Sequence, residues 1–467
     1  MISLNIIKKV SKKKSAKAGM FYFIGNLFNK AIAFITIPIF TRLLTTSEYG
    51  IYSTYESWIS ILSVVVGLSI GNTIRNAYVD YKQELNEYIS SIYALACLSL
   101  CVAAGAGILF GLFTGVNQVL ILFCIIQSFM SNIITGYAIK YMMEVDYIRR
   151  MLLLALPNCI SMLVSIVVIS FMRQDRYMGR IIVEVLIYVI MGTCILIMVF
   201  KKGRMTIKRE YWKYAFPLAW PLIFHGLSVN ILSNSDRTMI TYFCGEAETG
   251  IYGLIYSISM VASVITSALE NIWIPWFTDK MIIGDKKSIN NKVIFYVSVT
   301  ILMICGIMLI APEVLVLMAA PAYWKGKYML APLVSAYFFV FLYTIFVQIE
   351  YYYKKTKYIA VNTMLAGFLN IVLNFIFVPR FGAIAAAYTT LVSYMFSFLL
   401  HYRYSRKLDN DLFALKQFLL PIAICLIMLV LVSLFMEYWF IRWSIGVLML
   451  AGFIFVMYKK GMLKNLL

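Results

Sequence analysis

Long apolar runs separated by short polar punctuation organise this chain. A hydrocarbon layer of roughly 30 Å is crossed by about 20 apolar residues of helix, so each run of that length is a candidate span. Fourteen are predicted, at 19–43, 51–74, 88–112, 117–143, 151–172, 180–200, 214–243, 250–277, 291–312, 330–353, 357–378, 383–404, 415–436 and 439–458. The fold class expected is an all-α integral membrane protein of about fourteen transmembrane helices. Turns on the outer face reach no more than about a dozen and a half residues, too short to build an extramembrane domain that could house an active site.

Composition agrees. The 467 residues are 62% hydrophobic and 13% charged, whereas soluble domains are nearer half apolar and a quarter charged. A net charge of +20 would suit a nucleic-acid partner if it were spread over one surface. Its placement follows topology instead, because short cytoplasmic loops retain Lys and Arg during insertion. With the N-terminus inside, 31 of the 41 Lys and Arg residues fall in cytoplasmic segments, including Lys8, Lys9, Lys12, Lys13, Lys14 and Lys17 and six more between Lys201 and Lys213. Eight, among them Arg42, Arg176 and Arg180, fall on the opposite face, and Lys30 and Arg237 lie within spans. Both termini are expected in the cytoplasm, with membrane lipids as partners and no nucleic acid. The stretch 19–43 is too long for the apolar part of a cleaved signal and lacks a clear small-x-small site, so it is read as the first span. The eight cysteines lie mostly inside apolar runs without CxxC spacing, which suits core packing better than metal ligation or disulfides.

An internal echo divides the chain. TSEYGIYSTYES at 46–57 returns as EAETGIYGLIYS at 246–257, so that Glu48, Gly50, Ile51, Tyr52 and Ser57 recur as Glu248, Gly250, Ile251, Tyr252 and Ser257. Both copies are placed in the outer turn after the first span of a six-span block. A weaker echo relates Tyr177, Met178, Gly179 and Arg180 to Arg380, Phe381, Gly382 and Ala383. The organisation expected is two parallel six-helix bundles plus two C-terminal helices. In residues, this is a basic N-terminus at 1–18, a first half at 19–200, a basic linker at 201–213, a second half at 214–408, and helices 13 and 14 with a tail at 409–467. Transporters built from parallel repeats hold their substrate between the halves.

The segments TRLLTTSEYGIYS (41–53), NSDRTMITYFCGEAETGIYGLIYS (234–257) and LNIVLNFIFVPRFGAIAAAYTTLVSY (369–394) resemble polysaccharide-repeat flippases of the Wzx type. That family belongs to the multidrug/oligosaccharidyl-lipid/polysaccharide exporter superfamily, and the likeness covers the chain in length, helix count and order of motifs. It implies a flippase for undecaprenyl-diphosphate-linked oligosaccharides, serving O-antigen, capsule or exopolysaccharide in the bacterial cytoplasmic membrane. A polysaccharide polymerase and assembly proteins would be its partners. No cofactor is implied, and proton or sodium coupling is left open.

Charged residues inside spans are costly unless they meet a partner or a cavity, which makes each a candidate. Lys30, mid-span beside Asn26 and Asn29, is a central cation of the kind a diphosphate needs; a structural ion pair is the equal alternative. Asp236 and Arg237 follow Asn230 and Asn234 in the seventh span and point about 100° apart, so they cannot neutralise each other as an i,i+4 pair would. Arg237 could grip phosphate, while Asp236 could pair with another base or carry a proton. Glu56 is expected at the depth of Arg237, either as its cross-half partner or as a proton or cation site. Glu270 with Asn271, and Arg75 with Asn72, would form an inner gate or merely solvated helix ends.

Other polar residues are read more plainly. Glu184 and Glu350 are expected at interfaces, and His225 as hydrogen-bonded packing. Asn370 and Asn374 form an i,i+4 pair suited to interhelix bonds. Trp58, Trp212, Trp273, Trp276, Trp324 and Trp439 suit an interfacial belt, with sugar stacking as a further role for Trp58 or Trp273. The sequence has no GxSxG, P-loop or HExxH, and its histidines are His225 and His401. No catalytic residue or metal site is assigned, and the chain is not read as an enzyme.

Three other readings stand beside this one. The first two are a peptidoglycan-precursor flippase and a cation-coupled exporter of the same superfamily, the latter expected to use acidic and aromatic cavity residues. The third, of a different class, is a membrane-bound polysaccharide polymerase, which is implied to need a large external loop carrying arginines.

Overall fold

The computed structural model describes residues 31–32 and 34–459, and every regular element among them is helical. In chain order these are α1 (Phe34–Leu43), α2 (Thr46–Val66), α3 (Ile74–Asp80), α4 (Leu85–Thr114), α5 (Gln118–Met143), α6 (Tyr147–Phe171), α7 (Arg176–Lys202) and α8 (Arg209–Cys244). Then follow α9 (Glu246–Ser259), α10 (Val261–Ile282), α11 (Lys286–Met318), α12 (Leu330–Tyr352), α13 (Thr356–Phe381), α14 (Ala383–Leu408), α15 (Lys416–Leu434) and α16 (Trp439–Lys459). Among the described residues eleven helical stretches are long and apolar enough to cross a bilayer, and the bent pair α2–α3 makes a twelfth. The shorter apolar helices α1 and α16 fall at the positions of the first and last predicted spans.

One span predicted as continuous is sharply bent. Between α2 and α3 the chain bends by 54°, where Leu68 and Ser69 take φ of 51° and 48°. The break leaves helix carbonyls without their usual donors. Side chains serve carbonyls just before it: Asn132 Nδ2 donates to Ser63 O at 3.0 Å and Ser69 Oγ to Val64 O at 3.3 Å. Gly71 must be glycine here, since a Cβ would lie 2.6 Å from the Cα of Gly136 on α5. Between α9 and α10, Met260 stays in the helical region, and Glu246–Ile282 reads as one apolar stretch.

The echo marks helix starts rather than turns, a correction to the sequence reading. Helices α2 and α9 begin at Thr46 and Glu246, 200 positions apart like the repeated residues. Thr45 and Glu48 close a capping box on α2, with Glu48 N donating to Thr45 Oγ1 at 3.2 Å and Thr45 N to Glu48 Oε2 at 3.0 Å. On α9 the matching Glu248 instead receives Lys325 Nζ at 2.5 Å. The weaker echo is not equivalent in space: Gly179 lies inside α7, whereas Gly382, at φ 71°, joins α13 to α14.

The chain forms two compact units that divide at Thr238/Met239, inside α8. In the first, α5 packs against α2, α4, α6 and α7. Most of α8 belongs to it, tied by Trp212 Nε1 to Ser91 O at 2.8 Å, by Tyr211 to Glu84 and by Tyr214 to Asp80. In the second, α12 is the axis, packed against α9, α10, α11, α13, α14 and α15. Phe398 and Tyr402 of α14 pack on Phe346 of α12, and the buried small residues Ala386, Ala387, Ser393 and Ser397 suit α14 to close approach by its neighbours.

Candidate functional site

The polar residues inside spans are sorted by what they touch. Lys30, Asn26 and Asn29 lie outside the described residues. On α8, Asn230, Asn234 and Arg237 follow i, i+4, i+7 spacing and so share one helix face. Arg237 is 9% exposed and its Nη1 donates to Asn234 Oδ1 at 2.7 Å. Asn230 Nδ2 donates to Gly226 O at 2.9 Å, and Ser57 of α2 donates to Asn234 O at 2.5 Å. Asp236, beside Arg237, is 1% exposed. Glu56, next to Ser57, is exposed, and its carboxylate partner among the described residues is Tyr52 at 2.8 Å rather than Arg237.

A buried polar network in the first unit centres on Glu184 of α7, which the sequence reading had left at an interface. Glu184 and Arg180 are each 5% exposed, because α7 begins at Arg176 rather than at 180 and carries them inward. Arg180 Nε lies 3.4 Å from Glu184 Oε1. Its guanidinium is held between the rings of Phe40 and Tyr52, 3.7 and 3.5 Å from their centroids. Stacking on both faces stabilises a cation away from water. Tyr52 also donates to Glu184 at 2.7 Å, Gln127 of α5 reaches Glu184 Oε2 at 3.4 Å, and Tyr55 donates to Gln127 at 2.7 Å. Residues from α1, α2, α5 and α7 thus converge on two carboxyl groups and one guanidinium.

The second unit carries separate polar contacts. Glu350 is wholly buried against His401, which corrects its expected interfacial place. Glu270 accepts from Thr344 of α12 at 2.8 Å, while Asn271 and Arg75 are exposed. Asn374 Nδ2 donates to Asn370 Oδ1 at 3.2 Å and its own Oδ1 accepts from Thr389 of α14, the interhelix role expected of this pair. Trp273 is buried among Trp276, Phe277, Tyr296 and Phe413, and so belongs neither to a belt nor to a sugar-stacking surface. His225 is partly buried, with Nδ1 enclosed and unbonded among the described residues.

At the Lys/Arg-rich end of the first unit, Lys208 bonds Glu87 at 2.9 Å and lies 3.7 Å from Glu84. The Tyr211 hydrogen bond, then the Lys208 charge, holds the Glu84 carboxyl below its usual range. These bonds fix the linker that precedes α8.

Helices long and apolar enough to cross a bilayer, with charges and amides set within them, define a multi-pass membrane protein. The chain belongs to the polysaccharide biosynthesis protein family, which it matches over residues 15–281. It is 23% identical over 372 residues to protein 1 of the Lsg locus of Haemophilus influenzae, covering 76% of this chain and 88% of that one. In fold it is similar to the lipid II flippase MurJ in an inward closed conformation, with TM-score 0.56, 13% identity and coverage of 97% of this chain and 99% of MurJ. It is likewise similar to an inward-facing multidrug resistance MATE family transporter of the MOP superfamily, with TM-score 0.58, 14% identity and coverage of 83% and 96%. The likeness to both solved structures is one of fold.

Proposed function

We propose that the protein is a flippase that moves undecaprenyl-diphosphate-linked oligosaccharide repeat units across the bacterial cytoplasmic membrane, for O-antigen, capsule or exopolysaccharide assembly. The observation that carries this reading is membership of the polysaccharide biosynthesis family on a fold that also serves a lipid II flippase. The physical task is desolvation, since a diphosphate cannot cross hydrocarbon without replacement of its hydration shell. Lys30 and Arg237 would offer charge to the diphosphate, with Asn26, Asn29, Asn230 and Asn234 bonding sugar or phosphate oxygens, while the polyprenyl tail stays in lipid. The halves 19–200 and 214–408 would alternate access, with Glu56 and Asp236 in ion coupling and Glu270 and Arg75 in gating. Both termini would be cytoplasmic, and a polymerase and assembly proteins would take the product. No step requires the chain to act as an enzyme.

The test is genetic. Deleting the gene should accumulate lipid-linked oligosaccharide and remove surface polysaccharide. Lys30→Ala and Arg237→Ala should each reproduce that loss at unchanged protein level, and retained export in both would remove the roles given to them. The likeness to a MATE transporter favours cation-coupled drug export as a second reading. Drug sensitivity on deletion, with normal surface glycan, would select it.

A further inference from the structure

A phenol has one proton and can donate once. The Tyr52 hydroxyl oxygen nevertheless lies 2.7 Å from Glu184 Oε1 and 2.8 Å from Glu56 Oε1. If both carboxyls were ionised, one contact would set lone pair against lone pair, where buried like charges are weakly screened. One added proton resolves it: one carboxyl donates to the phenol oxygen, and the phenol donates to the other. Charge agrees, since Arg180 is the cation in contact with Glu184 among the described residues and a singly protonated pair leaves the group neutral. A hard metal ion would have to part these oxygens to gather its own several ligands.

The surroundings set the direction. Glu56 is exposed and Glu184 buried, so the phenol links an accessible carboxyl to an enclosed one. By about 1.5 Å per residue, Glu184 sits about 12 Å along α7 from its start, within the span. Among the described residues, the charged groups acting on this core are Arg180 and the two carboxyls themselves. The further titratable groups facing it are Tyr49 and Tyr55 of α2, Cys124 of α5 and Tyr188 of α7. Gln127 and Arg180 hold Glu184 in place without supplying a proton.

We propose that Glu56, Tyr52 and Glu184 form a proton relay, with one proton shared by the two carboxyls and Arg180 as its fixed countercharge. In transfer, the Glu56 carboxyl gives its proton to the Tyr52 oxygen as the Tyr52 proton passes to the Glu184 carboxylate. Tyr52 is neutral before and after, Glu56 becomes the anion and Glu184 the acid. The use of this proton in driving transport rests on the flippase reading; the bound proton does not.

The experiment is infrared spectroscopy of the full chain in lipid nanodiscs, following the carbonyl stretch of protonated carboxyls between acidic and alkaline buffer. At neutral pH the wild type should show a protonated-carboxyl band that is lost in Glu56→Gln and in Glu184→Gln and kept in Glu437→Gln. Tyr52→Phe should shift the pH midpoint of the band, and replacing choline by sodium should leave it unchanged. A wild type without the band, a band that survives in both Gln variants, or one removed by sodium would overturn the relay. Since no transport is needed for this readout, a wild type that shows the band but moves no lipid-linked glycan would count against the flippase reading and leave the relay standing.

Discussion

His401 Nδ1 on α14 lies 3.0 and 3.1 Å from the two carboxylate oxygens of Glu350 on α12, and neither side chain has exposed surface. Removing one member of such a pair leaves the other polar and buried without its partner. Glu350→Ala or His401→Ala should each destabilise the fold by about 3 kcal/mol. Thermal unfolding of the purified protein checks this. The double variant Glu350→Leu with His401→Leu should recover most of the loss, since an apolar pair leaves no polar group stranded.

The connection between α14 and α15 should respond to acid. Lys286 Nζ bonds Asp409 at 2.9 Å and Asp411 at 3.1 Å, and Tyr353 donates to Asp409 at 2.9 Å. Burial would raise the Asp409 carboxyl, but the Lys286 and Tyr353 hydrogen bonds outweigh it and hold the group below its usual range. Nearby, Asp285 is brought down to about 2 by its hydrogen bonds from Lys280 and Ser288. A depressed carboxyl stabilises the folded state above its unfolded value of about 3.9 and loses that contribution as pH falls through the folded value. Thermal stability should therefore decline between pH of about 4 and about 2. Lys280→Met and Lys286→Met should each flatten the decline.

Two glycines should differ in their tolerance of alanine. At Gly71 a Cβ meets backbone at 2.6 Å, so Gly71→Ala must push α5 away from the bend after α2. Overpacking of this kind typically costs about 1–3 kcal/mol. At Gly382 the Cβ would enter open space, and the penalty is conformational, from φ 71° alone, at about 1 kcal/mol. Expression level and unfolding temperature should rank Gly382→Ala above Gly71→Ala.

The spans were legible because lipid demands a length and an apolarity that no side-chain detail can disguise. The bend at Leu68 and Ser69 was not, because the flanking Gly67 and Gly71 are of a kind common in membrane helices and the support comes from Asn132, far along the chain. Arg180 and Glu184 carried a readable i,i+4 signal. It was missed because placing the helix start at 180 put Arg180 among the outer residues, whereas α7 starts at Arg176. Nothing local pairs Glu350 with His401, 51 positions apart, or sets Tyr52 between two carboxyls. Asn370 and Asn374 were legible because both lie on one helix face.

Arg237 offers a sharper test of the cargo site than simple truncation. Arg237→Lys keeps the charge but not the planar fork that pairs with phosphate oxygens. It should slow export roughly tenfold or more, as expected for a lost charge-assisted bond, while Arg237→Ala should abolish export. Quantified surface polysaccharide at matched protein level is the measurement.

Transport itself is read most directly in vesicles. Purified protein would be reconstituted with undecaprenyl-diphosphate-linked oligosaccharide, the glycan on the outer leaflet digested by an added glycosidase, and the remaining lipid-linked glycan followed over time. The flippase account predicts that inner-leaflet glycan becomes digestible in vesicles holding the wild type and remains protected in empty vesicles and in those with Arg237→Ala. Equal protection in wild-type and empty vesicles would contradict it.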